Sequence, residues 1–107
     1  MTATCVRVPV FNGHSEAVYV RAERAFERAE LIALLRAGEE IDVAEAGAFP
    51  TPRFNAQPDR VQIGRVRIDQ DDPRGAWFWL VSDNLRIGAA LNAVQIAERV
   101  LAERVYA

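Results

Sequence analysis

The chain has no lysine: all 13 of its cationic residues are arginine. This excludes a mechanism built on a Schiff-base or phosphate-binding lysine and leaves carboxylate and phosphate recognition to guanidinium forks. A single cysteine, Cys5, excludes an intrachain disulfide. With only one histidine, His14, there is no Cys/His cluster for structural zinc, so no metal is expected. An excess of charge of one sign is also missing. The 13 cations face 15 carboxylates for a net charge of -2, so no overall field draws the chain to nucleic acid or to an anionic membrane. The longest apolar run, Ala76 to Val81, is far below a membrane span, and the basic-then-apolar layout of a signal peptide is missing. A cytoplasmic location is expected. At 107 residues, half of them hydrophobic, the chain has room for one domain with a modest core.

The patterns that are present read as an α+β domain. Val6, Val8 and Val10 alternate with Cys5, Arg7 and Pro9, which predicts a half-buried strand from Thr2 to Val10. Asn12 and Gly13 supply a turn, after which Val18 and Val20 resume the alternation as the second arm of a hairpin. Helical spacing runs from about Glu27 to Ala37, with Gly38 as the expected C-terminal cap. Ile41 to Ala44 suits a short strand, and the segment from Gly47 to Pro58, with three prolines, reads as an ordered loop. Val61 and Ile63 alternate in one phase and Val66 and Ile68 in the other, so a bent, bulged strand is expected at Gly64. Ala76 to Val81 is apolar on both parities, as in a strand covered on both faces. Asp83 and Asn84 offer capping oxygens for a final helix reaching roughly Val105, with Ile87, Leu91, Val94, Leu101 and Val105 on one stripe. The expected architecture is a mixed, largely antiparallel sheet with two helices packed on it.

Few residues carry chemistry. The turn at Asn12 and Gly13 could bring Arg7 and His14 to one pocket, where a guanidinium would clamp an anion and an imidazole would move a proton near neutral pH. On spacing alone the favoured reading is a solvated strand arginine and a turn histidine bonded to backbone. Arg65 and Arg67, with Arg60 and Arg53 nearby, could form an anion patch, but a solvated face is the favoured reading. Trp77, Phe78 and Trp79 suit packing better than base stacking without a basic patch around them. The acidic run from Asp69 to Asp72 lacks the glycine and distal glutamate of a calcium loop.

Cys5-Val6-Arg7-Val8-Pro9-Val10 followed by Gly13-His14-Ser15-Glu16 resembles the signature that carries the substrate-binding arginine and catalytic histidine of bacterial aspartate-semialdehyde dehydrogenases. Further motifs agree in order. Phe49-Pro50-Thr51-Pro52 is similar to that family's aromatic-Pro-Thr-Pro loop, and Gly64-Arg65-Val66-Arg67 to its Gly-Arg-Ile-Arg strand. Ser82-Asp83-Asn84-Leu85-Arg86 and the stretch from Gly88 to Glu98 are similar to its last helix. The resemblance spans essentially the whole chain. It implies an NADPH-dependent enzyme that reductively dephosphorylates aspartyl phosphate to aspartate semialdehyde on the route to lysine, threonine and methionine. In that family a cysteine attacks the acyl phosphate, the thioester accepts hydride, and a histidine relays protons. The resemblance assigns the acid/base role to His14, the clamp on the substrate carboxylate to Arg7, and a place near the cofactor to Asn84.

The departures from that pattern set further expectations. The family's nucleotide-binding turn and its Asn-Cys nucleophile motif do not occur here, and Cys5 matches a non-catalytic position. Ile87 stands where the family has a lysine. The chain therefore reads as a single partial domain. Residues 1–83 correspond to the second half of a catalytic and dimerisation domain, and residues 84–107 to a helix returning to an absent cofactor domain, its stripe left exposed or recruited by self-association. It is expected to be inactive alone, homo-oligomeric, and a fragment or truncated product. The alternative is a non-enzymatic dimerisation or regulatory module that keeps the fold. The related N-acetylglutamyl-phosphate reductases carry a different histidine signature, so Gly13-His14-Ser15-Glu16 speaks against them.

Overall fold

A computed structural model describes residues 2–54 and 57–103. The last turn expected near Val105 lies outside them. A four-stranded mixed sheet with strand order β1-β4-β3-β2 is built from β1 (His14–Arg21), β2 (Ile41–Val43), β3 (Val61–Ile68) and β4 (Gly75–Ser82). The helices are α1 (Arg28–Arg36), between β1 and β2, and α2 (Leu91–Glu103), after β4. The architecture is α+β as expected, antiparallel except for the β2–β3 pair.

β4 anchors the sheet because its sequence is apolar on both parities. Ala76 and Val81 point to opposite faces, and both are fully buried. β1 lies along its whole length, from His14 opposite Ser82 to Arg21 opposite Gly75. On the other side β3 pairs with β4 until the register slips between Gly64, opposite Trp79, and Arg67, opposite Trp77. Three steps on β3 match two on β4, so Arg65 and Val66 together face Phe78. This is the bulge anticipated from the phase change, and it lets Ile63 and Val66 both be buried although their spacing is odd.

Two expectations fail. No strand forms between Thr2 and Val10, and the hairpin with the next strand does not exist: β1 pairs with β4 instead. Residues 2 to 12 are all exposed, so the alternating valines have neither a ladder partner nor a covering face among the described residues. Gly38, the expected C-terminal cap, instead follows the capping residue. The C-cap is Ala37, whose N–H reaches the carbonyls of Ala33 and Leu34. Gly38 has no positive φ; a Cβ there would come within 2.8 Å of Ile41 Cδ1, so a side chain at this position would require the Ile41 side chain to shift. At its other end α1 is closed by a reciprocal box in which Glu30 accepts from the Glu27 N–H at 3.0 Å.

The entry to α2 is wound more widely than an α-helix. Residues Arg86–Ala90 form a π-helical turn, with Gly88 N–H donating to Asp83 O at 3.0 Å and Ala90 N–H to Leu85 O at 3.3 Å. Ile87 is buried at the start of the stripe, but Val94 and Leu101 remain 53% and 77% exposed. Arg99 ties α2 to the turn after α1 through Glu39 at 2.8 Å.

Candidate functional site

Two of the residues singled out from sequence, His14 and Asn84, lie at the end of the sheet where β1 begins and β4 ends. Gly13 adopts φ +98°, a conformation that glycine reaches without a Cβ clash, and this swings the chain from the exposed N-terminal segment into β1. Its N–H donates a 2.7 Å hydrogen bond to Asn84 Oδ1. Next to it, Asn12 Nδ2 donates to Asp83 Oδ2 at 3.3 Å. His14 follows immediately as the first residue of β1, opposite Ser82 and exposed to solvent. Two residues 71 positions from their partners thus join the turn before His14 to the corner that carries Asn84.

Asp83 holds this corner. It is buried at 8% exposure, and while Oδ2 receives Asn12, Oδ1 accepts from the N–H groups of Leu85 at 2.8 Å and Arg86 at 3.1 Å. The capping half of that role was legible in the sequence; the long-range half was not, since nothing local in Asn12 signals where its amide will go. Arg86 is held in turn by Asp59, with Nη2 to Oδ2 at 2.8 Å. This contact lowers the Asp59 pKa and raises that of Arg86.

The proline-rich loop forms the third wall. Its carbonyl at Pro50 accepts the Trp79 indole N–H at 3.1 Å, and Pro52 begins a 3₁₀ turn through Phe54. A Cβ placed on Gly64 would lie 2.6 Å from Pro50 Cδ, and one on Gly13 would touch Pro52 Cβ at 3.4 Å. Gly64 therefore lets the loop lie close on the sheet, and at Gly13 the loop makes ordinary van der Waals contact. Ser15 Oγ and Thr51 Oγ1 are buried without a hydrogen-bond partner among the described residues. They are open polar positions for a water or a ligand atom.

The structure ties the turn before His14 to Asn84 and gives Arg7 no bond at that corner among the described residues. Arg7 sits in the exposed segment before the turn and makes no hydrogen bond or ion pair with another described residue. Cys5 is exposed on the same segment. Among the described residues no group of three or more ligating side chains could hold a metal ion, and no helix is long and apolar enough to cross a membrane.

A family model described as semialdehyde dehydrogenase, dimerisation domain, matches residues 1–87. Aspartate-semialdehyde dehydrogenase 2 of Vibrio cholerae is 45% identical over 96 residues, covering 89% of this chain and 28% of that protein. Aspartate-semialdehyde dehydrogenase of Aquifex aeolicus is 40% identical over 106 residues, covering 96% and 31%. A crystal structure of aspartate semialdehyde dehydrogenase II from Vibrio cholerae, complexed with ASA, superposes with a TM-score of 0.85 at 43% identity, over 97% of this chain and 31% of that one. The chain thus spans under a third of the length of these relatives, corresponding to their C-terminal part. Ordered motifs, fold and the extent of the match agree, and the chain belongs to the semialdehyde dehydrogenase dimerisation-domain family.

Proposed function

We propose that this chain is the portion of an NADP-dependent aspartate-semialdehyde dehydrogenase that grips the substrate and relays its protons, in the reductive dephosphorylation of aspartyl phosphate that leads toward lysine, threonine and methionine. The observation that carries the reading is the Gly13–Asn84 hydrogen bond of 2.7 Å, which sets the turn before His14 against the corner after β4. An imidazole there, exposed and at the end of a strand paired along its whole length, suits a general acid and base. Arg7, with no carboxylate partner among the described residues, is the guanidinium available to clamp an amino-acid carboxylate through two parallel hydrogen bonds.

The residues here fit a dinucleotide only in part. Asn84 Oδ1 is occupied by Gly13, which leaves its amide N–H₂ as a donor toward a nicotinamide. The sequence contains no Gly-rich strand-to-helix turn to receive the phosphates. The cofactor, when bound, supplies the hydride; no step of that transfer is assigned to residues of this chain. Likewise no Asn-Cys nucleophile is present. The chain alone is therefore inactive in this reading.

The test is complementation. Mixing this chain with the remaining portion of a relative such as the Vibrio cholerae enzyme should restore NADPH-linked turnover, and the same mixture with His14→Ala should stay inactive. Turnover with the His14 variant would remove the acid/base assignment. A second reading, a non-enzymatic module that pairs copies of the fold, draws on the dimerisation-domain description of the matched family. It requires concentration-dependent association without any activity on mixing, which light scattering beside the same assay would detect.

A further inference from the structure

We propose a second anion-binding site in the cleft between α1 and the β3 bulge, formed by Arg28, Arg65 and Arg67 and suited to a small doubly charged oxyanion, either a phosphate group or a dicarboxylate. The three arginines line one cleft of about 450 Å³, and none has a carboxylate partner among the described residues, although six other arginines do. Glu45 is the acidic residue in the lining, and its carboxylate is turned to Arg36 at 3.4 Å.

The bulge organises the three guanidinium groups. Its two carbonyls each take one donor: Val66 O accepts from Arg28 Nε at 2.7 Å, and Arg65 O from Arg67 Nη1 at 3.2 Å. Each contact uses one N–H of a five-donor group and leaves the others free. Arg65 lies with Cζ 5.9 Å from the Phe49 ring centroid, and Arg67 with Cζ 5.8 Å from that of Trp77, so each guanidinium is within reach of an aromatic ring. Arg65 is also the only non-glycine residue with positive φ among the described residues, at 55°. Keeping an arginine in a conformation that glycine adopts freely is the kind of local cost found where a side chain must be aimed. Arg60 and Arg53, grouped with this patch on sequence, are elsewhere engaged: Arg60 holds the carbonyls of Glu39 and Ile41, and Arg53 lies over Phe54.

This site does not depend on the roles proposed for His14 and Arg7. Calorimetric titration of the 107-residue chain with inorganic phosphate, and separately with succinate, at ionic strength held constant with chloride, should give saturable binding of at least one. The tighter of the two identifies the source. Arg65→Gly removes the guanidinium and suits the backbone, so it should weaken binding about tenfold or more while the melting temperature without anion holds or rises. Arg67→Gln should weaken it similarly, and His14→Ala and Arg7→Ala should bind as the parent does. The proposal is overturned if neither anion saturates, if Arg65→Gly and Arg67→Gln bind unchanged, or if Arg7→Ala abolishes binding. It is also overturned if the only effect of Arg65→Gly is loss of self-association, which would give the cleft to a carboxylate of a second copy.

Discussion

In β4 and in the N-terminal segment the sequence offers comparable apolar side chains, and the structure treats them in opposite ways. Ala76 and Val81 have no exposed surface, whereas Val6, Val8 and Val10 are 75%, 57% and 44% exposed. The difference lies in the neighbours. β4 is flanked by strands on both edges, and Gly75, Ala76 and Val81 are buried there while Trp77 to Leu80 are half-buried. The valines before Gly13 have no ladder and no covering layer among the described residues. Alternation states what a strand would bury; it does not supply the second surface. The same contrast recurs after β4, where Ile87 is buried against the sheet end while Val94, Ile96 and Leu101 on α2 are not. The candidate site lies at the seam, where a well-packed sheet hands over to two sparsely covered segments.

The largest effect is expected where that seam is tied. Asp83→Ala would leave the Asn12 amide and the N–H groups of Leu85 and Arg86 without their acceptor. Losing a cap and a part-buried long-range bond together should cost about 2–4 kcal/mol in urea denaturation. Complementation activity should fall further than stability explains, because the turn before His14 is released from Asn84's corner. Asp83→Asn, which keeps one acceptor oxygen, should recover part of both.

A smaller loss is expected on the sheet side. Gly64→Ala would place a methyl 2.6 Å from Pro50 Cδ, beyond what a stiff ring can absorb without moving the loop. A cost of about 1–3 kcal/mol is expected, as for other overpacked sites. Because Trp79 donates to Pro50 O, displacement of the loop should also shift the tryptophan emission. An unchanged spectrum with unchanged stability would mean that the loop does not lie across the sheet in solution.

The strands, the bulge and α1 could be read from the chain because their signals are local. Parity at Ala76 to Val81, the phase change around Gly64, and the helical spacing from about Glu27 to Ala37 are each contained in a short stretch of chain. The site was legible only as residue types. His14 and Asn84 were named through family resemblance, but the bond that sets their turn and corner together spans 71 positions and has no local signature. The bulge was anticipated from two pairs of valine and isoleucine, yet its consequence for Arg65 and Arg67 was not. Where α1 would pass, and hence that Arg28 would reach Val66 O, depends on tertiary packing alone.

Acid should loosen the sheet and its connections rather than the N-terminal segment. Glu30 is held below its ordinary 4.5 by the Glu27 N–H and by Arg24. Asp59 is held below its ordinary 3.8 by Arg86. Asp69 is held below 3.8 by the Asp71 N–H and the Trp77 indole, in the β3–β4 turn. A carboxylate whose pKa is depressed on folding stabilises the fold fully above its unfolded value, and that contribution is lost as pH falls through the lower folded value. Melting temperature should therefore hold down to about pH 5 and decline progressively below about pH 4. Arg86→Gln should flatten the share of that decline that belongs to Asp59. A decline that begins near pH 6 would contradict the assignment of the acid transition to these three carboxylates.

The smallest effect belongs to the other side of the comparison. Val8→Ser alters a residue that is 57% exposed in a segment where the backbone closes only one described bond, Val10 N–H to Val8 O at 2.9 Å. In the chain by itself the change should move stability by no more than about 0.5 kcal/mol, as for other surface positions without a special role. The same substitution at Val20, on β1, faces the register position of Ala76 and should cost clearly more. Measured side by side in urea, the pair isolates what the neighbouring strand contributes, since residue type and parity are matched. If Val8→Ser cost as much as Val20→Ser, the valines before Gly13 would have to be covered in solution. Arg7 would then be held by that cover, and its freedom to clamp a carboxylate would have to be argued from the covered state.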